Sequence, residues 1–353
     1  MTHPGSSSNS AAPAAAGSRC AEASTPPPGT GAAGSSAPPA APVPLNGAYF
    51  QLSQLSAEWQ AFVEADEEAR SCIRNYFRVP QFYVAHADWD VCIATCCEAG
   101  RRVIALDEGQ VRAVKAELES VLARPLPTLQ PASTYADGVV TRITDNATYQ
   151  TITKSLSRHN QTFKHQERQA HFRQLLETAR ELYRAKTHIF LALDVESWER
   201  DHSRILEIGW SMYDSRRDRF LDVHYNVSEF RHLYNGRYVP DHRNNFVFGT
   251  STWATLREAA AAIQRDLDAD DAPLVFIGHA VKEDLRYLER LGVKVPGTAV
   301  SFDTAQLYQA VNGATQPTGL GKMLDALSIE HIFLHNAGND AHYTLEAFLA
   351  LTK

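Results

Sequence analysis

Cysteine is scarce in this chain, and long apolar runs are absent. Five cysteines among 353 residues are too few for a disulfide framework. Three of them, Cys92, Cys96 and Cys97, form a C-x3-C-C pattern that does not match the usual zinc-ligand spacings. All five read as reduced thiols of an intracellular protein. No stretch reaches the roughly 18 apolar residues of a membrane-spanning helix. The first residues carry no basic segment followed by an apolar core, so no secretory signal is expected. Positive charge is not in excess either: 34 basic against 41 acidic side chains leave a net −7. That excludes a uniformly basic nucleic-acid coat but not a local basic surface.

What is present divides along the chain. At roughly 100–200 residues per domain, the length suits two or three domains. Residues 1–46 are almost entirely Ser, Ala, Pro, Gly and Thr; nine of the 17 prolines lie there, with Arg19 and Glu22 as the only charged side chains. Such a segment buries too little to offset its ordering entropy, and a disordered low-complexity tail is expected. A single arginine is too few for a mitochondrial transit peptide. Residues 47–130 read as a small α/β domain of unknown role. Trp59, Phe62, Val63, Ile73 and Phe77 recur at helical spacing, Ser56 can cap them and Pro80 stops them. Gln81 to Ala87 and Val103 to Leu106 read as strands. Val111, Val114, Leu118, Val121 and Leu122 form a second helical stripe ending before Pro125. Three prolines between Pro125 and Ala136 read as a linker.

Residues 131–186 are expected as linker and basic helix. From Lys154 to Lys186 there are eight Lys or Arg against three Glu, a local +5 that leaves −12 for the remainder. Phe172, Leu175, Leu176, Ala179, Leu182 and Tyr183 give this helix one apolar face. That face suits packing on a neighbouring domain, while Lys164, Arg168 and Arg173 suit a phosphate backbone.

Residues 187–353 hold the candidate chemistry. His188 to Asp194 is an apolar strand ending in an acid, and Asp194 and Glu196, two apart, point to one side. Arg204 to Met212 and Phe220 to Val227 continue as a meander. A helix from Thr252 to Leu267 follows, then a strand from Leu274 to Ile277 and a helix from Val281 to Leu291 bearing Asp284. A strand from Val300 to Phe302 and helices from Leu320 to Leu327 and Asp340 to Leu351 complete a mixed sheet with helices. Converging carboxylates repel one another and lose hydration. A divalent cation removes both problems, and oxygen ligands suit Mg²⁺ or Mn²⁺. An imidazole can take a proton from water near neutrality.

The blocks FLALDVES, FIGHAVKEDLRYL and HNAGNDAHYTL resemble the three motifs of the DEDDh 3′–5′ exonucleases, in order and spacing, over about residues 187–353. The phrases FGTSTWATLREA and HNAGNDAHYTLEAFL look more specifically like a fungal branch linked to mRNA export. The resemblance implies an RNase H-like α/β fold, a mixed sheet with flanking helices. It also implies a two-ion Mg²⁺ or Mn²⁺ site on Asp194, Glu196, Asp284 and Asp340, with His335 as the catalytic base. The activity implied is hydrolysis of single-stranded RNA or DNA from the 3′ end, with RNA somewhat favoured and a nuclear or cytoplasmic location. The alternative is an adaptor that keeps the fold and binds RNA or a ribonucleoprotein. Departures are Ala280 where Asn is common, Glu283 where Phe is common, and Ser197-Trp198 where Thr is common. They bear on substrate choice and rate rather than on reaction type. His279 reads as a core histidine bracing the Asp284 helix, and Asp303 as the cap of a following helix. Trp198, as a stacking platform, and Arg231, Arg237 and Arg243, in a segment where Arg, His and Tyr interleave, are substrate-binding candidates. The same segment also suits a solvated loop.

Overall fold

The computed structural model describes residues 45–296 and 299–353. Most of the expected N-terminal tail, residues 1–44, lies outside them. The first sheet is built from β1 (Tyr49–Gln51), β2 (Asp90–Cys96), β3 (Arg102–Asp107) and β4 (Tyr135–Arg142), in the order β1-β3-β2-β4 and antiparallel throughout. Helices α1 (Leu52–Phe62), α2 (Glu67–Tyr76), α3 (Gln81–Ala85) and α4 (Glu108–Leu122) pack with it. Trp59, Ile73, Leu106, Val114 and Leu118 are fully buried at the centre of that cluster.

Four expectations change here. The stripe from Trp59 to Phe77 forms two helices, α1 and α2, with Ser56 inside α1 and Asp66 as the cap of α2. Gln81–Ala85 is a helix, not a strand: Phe82 and Tyr83 are both buried, and Phe82 lies against Phe77 and His86. A strand would send these adjacent rings to opposite faces. The stretch read as linker contains β4, whose Tyr135 and Ala136 are buried beside β2. Beyond them Val139 and Val140 are exposed, so the strand lacks a clean alternation. Its partner β2, Asp90–Cys96, is an element the sequence reading leaves unassigned.

The basic helix is longer than expected. α5 runs unbroken for 40 residues, Asn146–Ala185, because Asp145 caps it (Thr148 N donates to Asp145 Oδ1 at 2.7 Å) and no Pro or Gly interrupts it. Its first half meets the first sheet through Asn160, which bonds both backbone groups of Arg102. Its second half meets the second sheet through Leu176 and Ala179.

The second sheet contains β5 (Ile189–Trp198), β6 (Asp201–Asp214), β7 (Arg219–Val227), β8 (Thr252–Ala254), β9 (Leu274–Gly278) and β10 (Val300–Asp303). The order is β10-β9-β5-β6-β7-β8, with β5, β6 and β7 an antiparallel meander and β9 and β10 parallel to β5. This is the RNase H-like mixed sheet. On one face pack α6 (Leu256–Leu267) and α7 (Val281–Arg290). On the other pack α8 (Thr304–Asn312), α9 (Leu320–Ala326), α10 (Ala337–Thr352) and the second half of α5. Helix α6 starts four residues later than expected: Thr255 and Glu258 form its capping box, which frees Thr252–Ala254 to pair with β7. Helix α8 is the helix that Asp303 caps, as expected. Among the described residues no helix is long and apolar enough to cross a membrane.

Candidate active site

The site begins with alternation on two strands. On β5, Ile189, Leu191 and Leu193 join the cluster under α6 and α7, while Phe190 and Ala192 join the cluster under α10. Asp194 and Glu196 continue the second row, and so face α10. Across the ladder Asp194 stands opposite Gly209, and Glu196 opposite Glu207. A Cβ on Gly209 would lie 2.2 Å from Ala337 C and from Gly338 N. The start of α10 therefore rests on the backbone of β6, which only a residue without a side chain permits.

That seating delivers the third motif. Asn336 caps α10, accepting from Asn339 N at 3.1 Å. Helix α10 thus starts three residues before the expected Asp340, whose carboxyl is left for other work. Its Oδ2 accepts from His335 N at 3.0 Å, while its buried Oδ1 has no hydrogen-bond partner. His335 takes a left-handed conformation with φ +66°, which turns the chain back toward β5. Its Nδ1 lies 3.8 Å from Glu196 Oε1. Glu196, His335 and Asp340 offer ligand atoms that all lie within 4.8 Å of one another.

Asp284 enters from the first turn of α7. A Cβ on Gly278 would stand 2.7 Å from Asp284 Oδ2, so the strand end is kept bare where the carboxylate approaches. Ala280, which precedes α7, sits at φ +83°. Asn tolerates such a conformation better than Ala, so the departure at this position carries some backbone strain. His279 Nδ1 lies 3.0 Å from Thr304 Oγ1, and burial lowers its pKa. It braces the ends of β9 and β10, and Asp303 caps α8.

The electrostatics follow from the crowding. Asp194 is raised well above the usual carboxylate range, first by loss of water and then by the charges of Asp340, Glu196, Asp284 and Glu207. Asp284 is pushed up to about 8 by burial, Asp303 and Glu283. Asp340 is pushed up to about 7, mainly by burial, against the opposing bond from His335 N. His335 is raised by Glu196. A cluster of acids that resist ionisation, one with an unpaired buried oxygen, fits a hard divalent cation. Asp194 and Asp284 stand outside the tight trio of Glu196, His335 and Asp340, yet the charges of Asp340, Glu196 and Asp284 all act on Asp194.

The other candidates separate. Trp198 is half-buried; its Nε1 donates to Tyr234 O at 3.2 Å and Arg204 lies over its ring. Arg231 and Arg237 are exposed, over Trp253 and Tyr238 respectively. Arg243 is not available to a substrate. It is 2% exposed, paired with Asp241 at 2.7 Å and stacked on Tyr234. An acid two residues away was the signal for this. Lys164, Arg168 and Arg173 are exposed on α5, but Arg168 Nη2 donates to Thr315 O at 2.9 Å and so braces a loop.

Glu207, His224, Asn336 and Asn339 escaped the sequence reading, although all four are buried within or beside the site. The signal for Glu207 was an acid on one row with Gly209 and Ser211 inside an apolar strand. Such a row is built to meet polar backbone rather than hydrocarbon.

The sequence family described as the DNA polymerase III subunit epsilon-like, C-terminal domain (DEDDh) matches residues 189–351. "Good for full DBP5 activity protein 2" of Saccharomyces cerevisiae is 31% identical over 210 residues, covering 49% of this chain and 37% of that protein. An uncharacterized nucleolar protein of Schizosaccharomyces pombe is 34% identical over 171 residues, 46% of this chain and 68% of that one. The chain thus spans little more than a third of the length of the first relative. The RNase domain of the yeast Pop2 protein aligns with 52% of this chain and 83% of its own at 10% identity, with a TM-score of 0.31. The match over residues 189–351 and the S. pombe relative place the chain in the DEDDh exonuclease-like family.

Proposed function

We propose that the chain is a metal-dependent 3′–5′ exonuclease acting on single-stranded nucleic acid, with RNA somewhat favoured. The observation that carries this reading is the cluster itself. Asp194, Glu196, Asp284 and Asp340 repel one another, and Asp340 Oδ1 is buried without a partner beside His335. These four carboxylates would hold two Mg²⁺ or Mn²⁺ ions. When bound, such ions supply charge neutralisation and stabilise the attacking and leaving oxygens of a phosphodiester. His335, whose Nδ1 lies 3.8 Å from Glu196 Oε1, is the imidazole placed to accept a proton from water. Its partial exposure keeps that ring in reach of solvent. Trp198, Arg231 and Arg237 would meet the single strand, with a ring for bases and guanidinium groups for phosphates. Lys164 and Arg173 on α5 would hold the more distant backbone.

A second reading has its own support. The name of the S. cerevisiae relative speaks of DBP5 activity rather than of a nuclease. In this reading the fold serves an RNA- or ribonucleoprotein-binding adaptor in mRNA export or metabolism. The nucleolar relative favours a nuclear location under either reading. Degradation of end-labelled RNA and DNA in Mg²⁺, Mn²⁺ and EDTA tests the choice. Shortening from the 3′ end that EDTA abolishes supports the nuclease; intact but retained RNA supports the adaptor.

A further inference from the structure

Behind the acids lies a polar network with no direct role in the proposed reaction. Glu207 is 2% exposed, and its Oε2 accepts three hydrogen bonds: from His224 Nε2 at 3.0 Å, Asn336 Nδ2 at 3.3 Å and Ala337 N at 3.3 Å. His224, 1% exposed, lies with its Nδ1 2.8 Å from Ser251 Oγ. Asn336 also donates to His242 O at 3.0 Å, and caps α10. Asn339 accepts from Val247 N at 3.0 Å and donates to Asn245 O and Phe333 O. One carboxylate oxygen on β6 thus gathers β7 and the first residues of α10.

Stability alone is a poor reason for this arrangement. A buried charge costs several kcal/mol in lost hydration, and well-packed apolar substitutes for such groups are often neutral or better. What an apolar side chain cannot do is fix the orientation of Asn336 and Ala337. His335 immediately precedes that pair, and Asp340 follows within one turn.

We infer that Glu207, through His224 and Asn336, is a positioning residue that sets the pose of the segment from His335 to Asp340. The inference rests on the nuclease reading for its effect on rate, but not for its effect on the segment itself. In Glu207→Ala the three donors lose their acceptor and the start of α10 loosens. In Glu207→Gln an amide oxygen in the place of Oε2 still accepts from Asn336, Ala337 and His224.

The test uses the full chain with Glu207→Ala, Glu207→Gln and, as a control for general destabilisation, Leu118→Ala in the separate cluster of the first sheet. Three quantities are read well below the melting temperature: single-turnover cleavage of an end-labelled RNA, Mn²⁺ affinity by electron paramagnetic resonance, and amide hydrogen exchange of residues 335–340. Glu207→Ala should lower the cleavage rate by roughly 10²-fold, the usual effect of an ångström-scale misplacement, with little change in KM. It should also weaken Mn²⁺ binding and speed exchange in this segment, with Glu207→Gln recovering most of each. Leu118→Ala should lower the melting temperature and change none of the three. If Glu207→Ala does not fold, His224→Ala replaces it and should produce the same changes in smaller measure. Unchanged exchange in the segment, or a Leu118→Ala effect of equal size, overturns the inference. If the wild type cleaves neither RNA nor DNA, the nuclease reading fails by itself, and exchange and Mn²⁺ affinity still decide the role of Glu207.

Discussion

Asp194 on β5 pairs in register with Gly209 on β6, and the backbone of Ala337 and Gly338 occupies the place where a Gly209 side chain would stand. This one relationship brings the third motif down onto the first. Gly209→Ala should therefore act on stability and activity together. Forcing a methyl group into a close backbone contact costs about 1–3 kcal/mol or more, and it lifts Asp340 away from Asp194. Urea denaturation should show the lost stability, and nuclease activity should fall further than the folded fraction explains. A variant with full activity would separate the glycine from the site.

The acids predict a pH dependence of the metal-free protein. Asp284 is pushed up to about 8, against 3.8 for an ordinary Asp side chain. The native state then holds a proton that the unfolded chain has released, so stability falls as pH rises from about 4 to about 8. Asp284→Asn should flatten this slope and leave the metal-free melting temperature equal or higher. Asp194→Ala should likewise relieve repulsion. Both should abolish degradation and weaken Mn²⁺ binding. Thermal melts across pH, with EDTA and with Mn²⁺, measure the effect; a steep slope retained in Asp284→Asn would contradict the assignment.

His335→Ala should keep metal and substrate binding but lower turnover by roughly 10²–10⁴, the range for loss of a general base. Hydroxide should partly restore the rate at high pH. Single-turnover rates against pH for wild type and variant decide the matter. A raised KM with an unshifted profile would instead make His335 a substrate-orienting residue.

On α5, Lys164→Ala with Arg173→Ala should weaken binding of long single strands and reduce its salt dependence, because fewer counterions are released. Cleavage of a very short oligonucleotide should change little. Arg168 is left intact, since it also braces Thr315. An unchanged salt slope would assign this helix to packing alone.

Much of the site was legible along the chain because its logic is local. Residues two apart share a strand face, so Asp194 and Glu196 had to point together once the apolar run before them formed a strand. The spacing of Gly278, Asp284, His335 and Asp340 carried the family resemblance. The length of α5 was also in the sequence, in the absence of Pro and Gly after Asp145. Other features had no local signal strong enough. The strand expected from Gln81 to Ala87 failed because Phe82 and Tyr83 both find a core when coiled into a helix. The edge strand β4 exists because β2 offers it a ladder. Arg243 looked like a phosphate ligand until the fold placed Asp241 and Tyr234 around it. By itself, then, the sequence determined which acids and which imidazole are present and which of them share a strand face. Tertiary structure decided that α10 sits on Gly209, that Glu207 stands behind the site, and which arginines remain free. Those outcomes depend on groups far apart in the chain meeting at van der Waals or hydrogen-bond distance, and no local pattern specifies such a meeting.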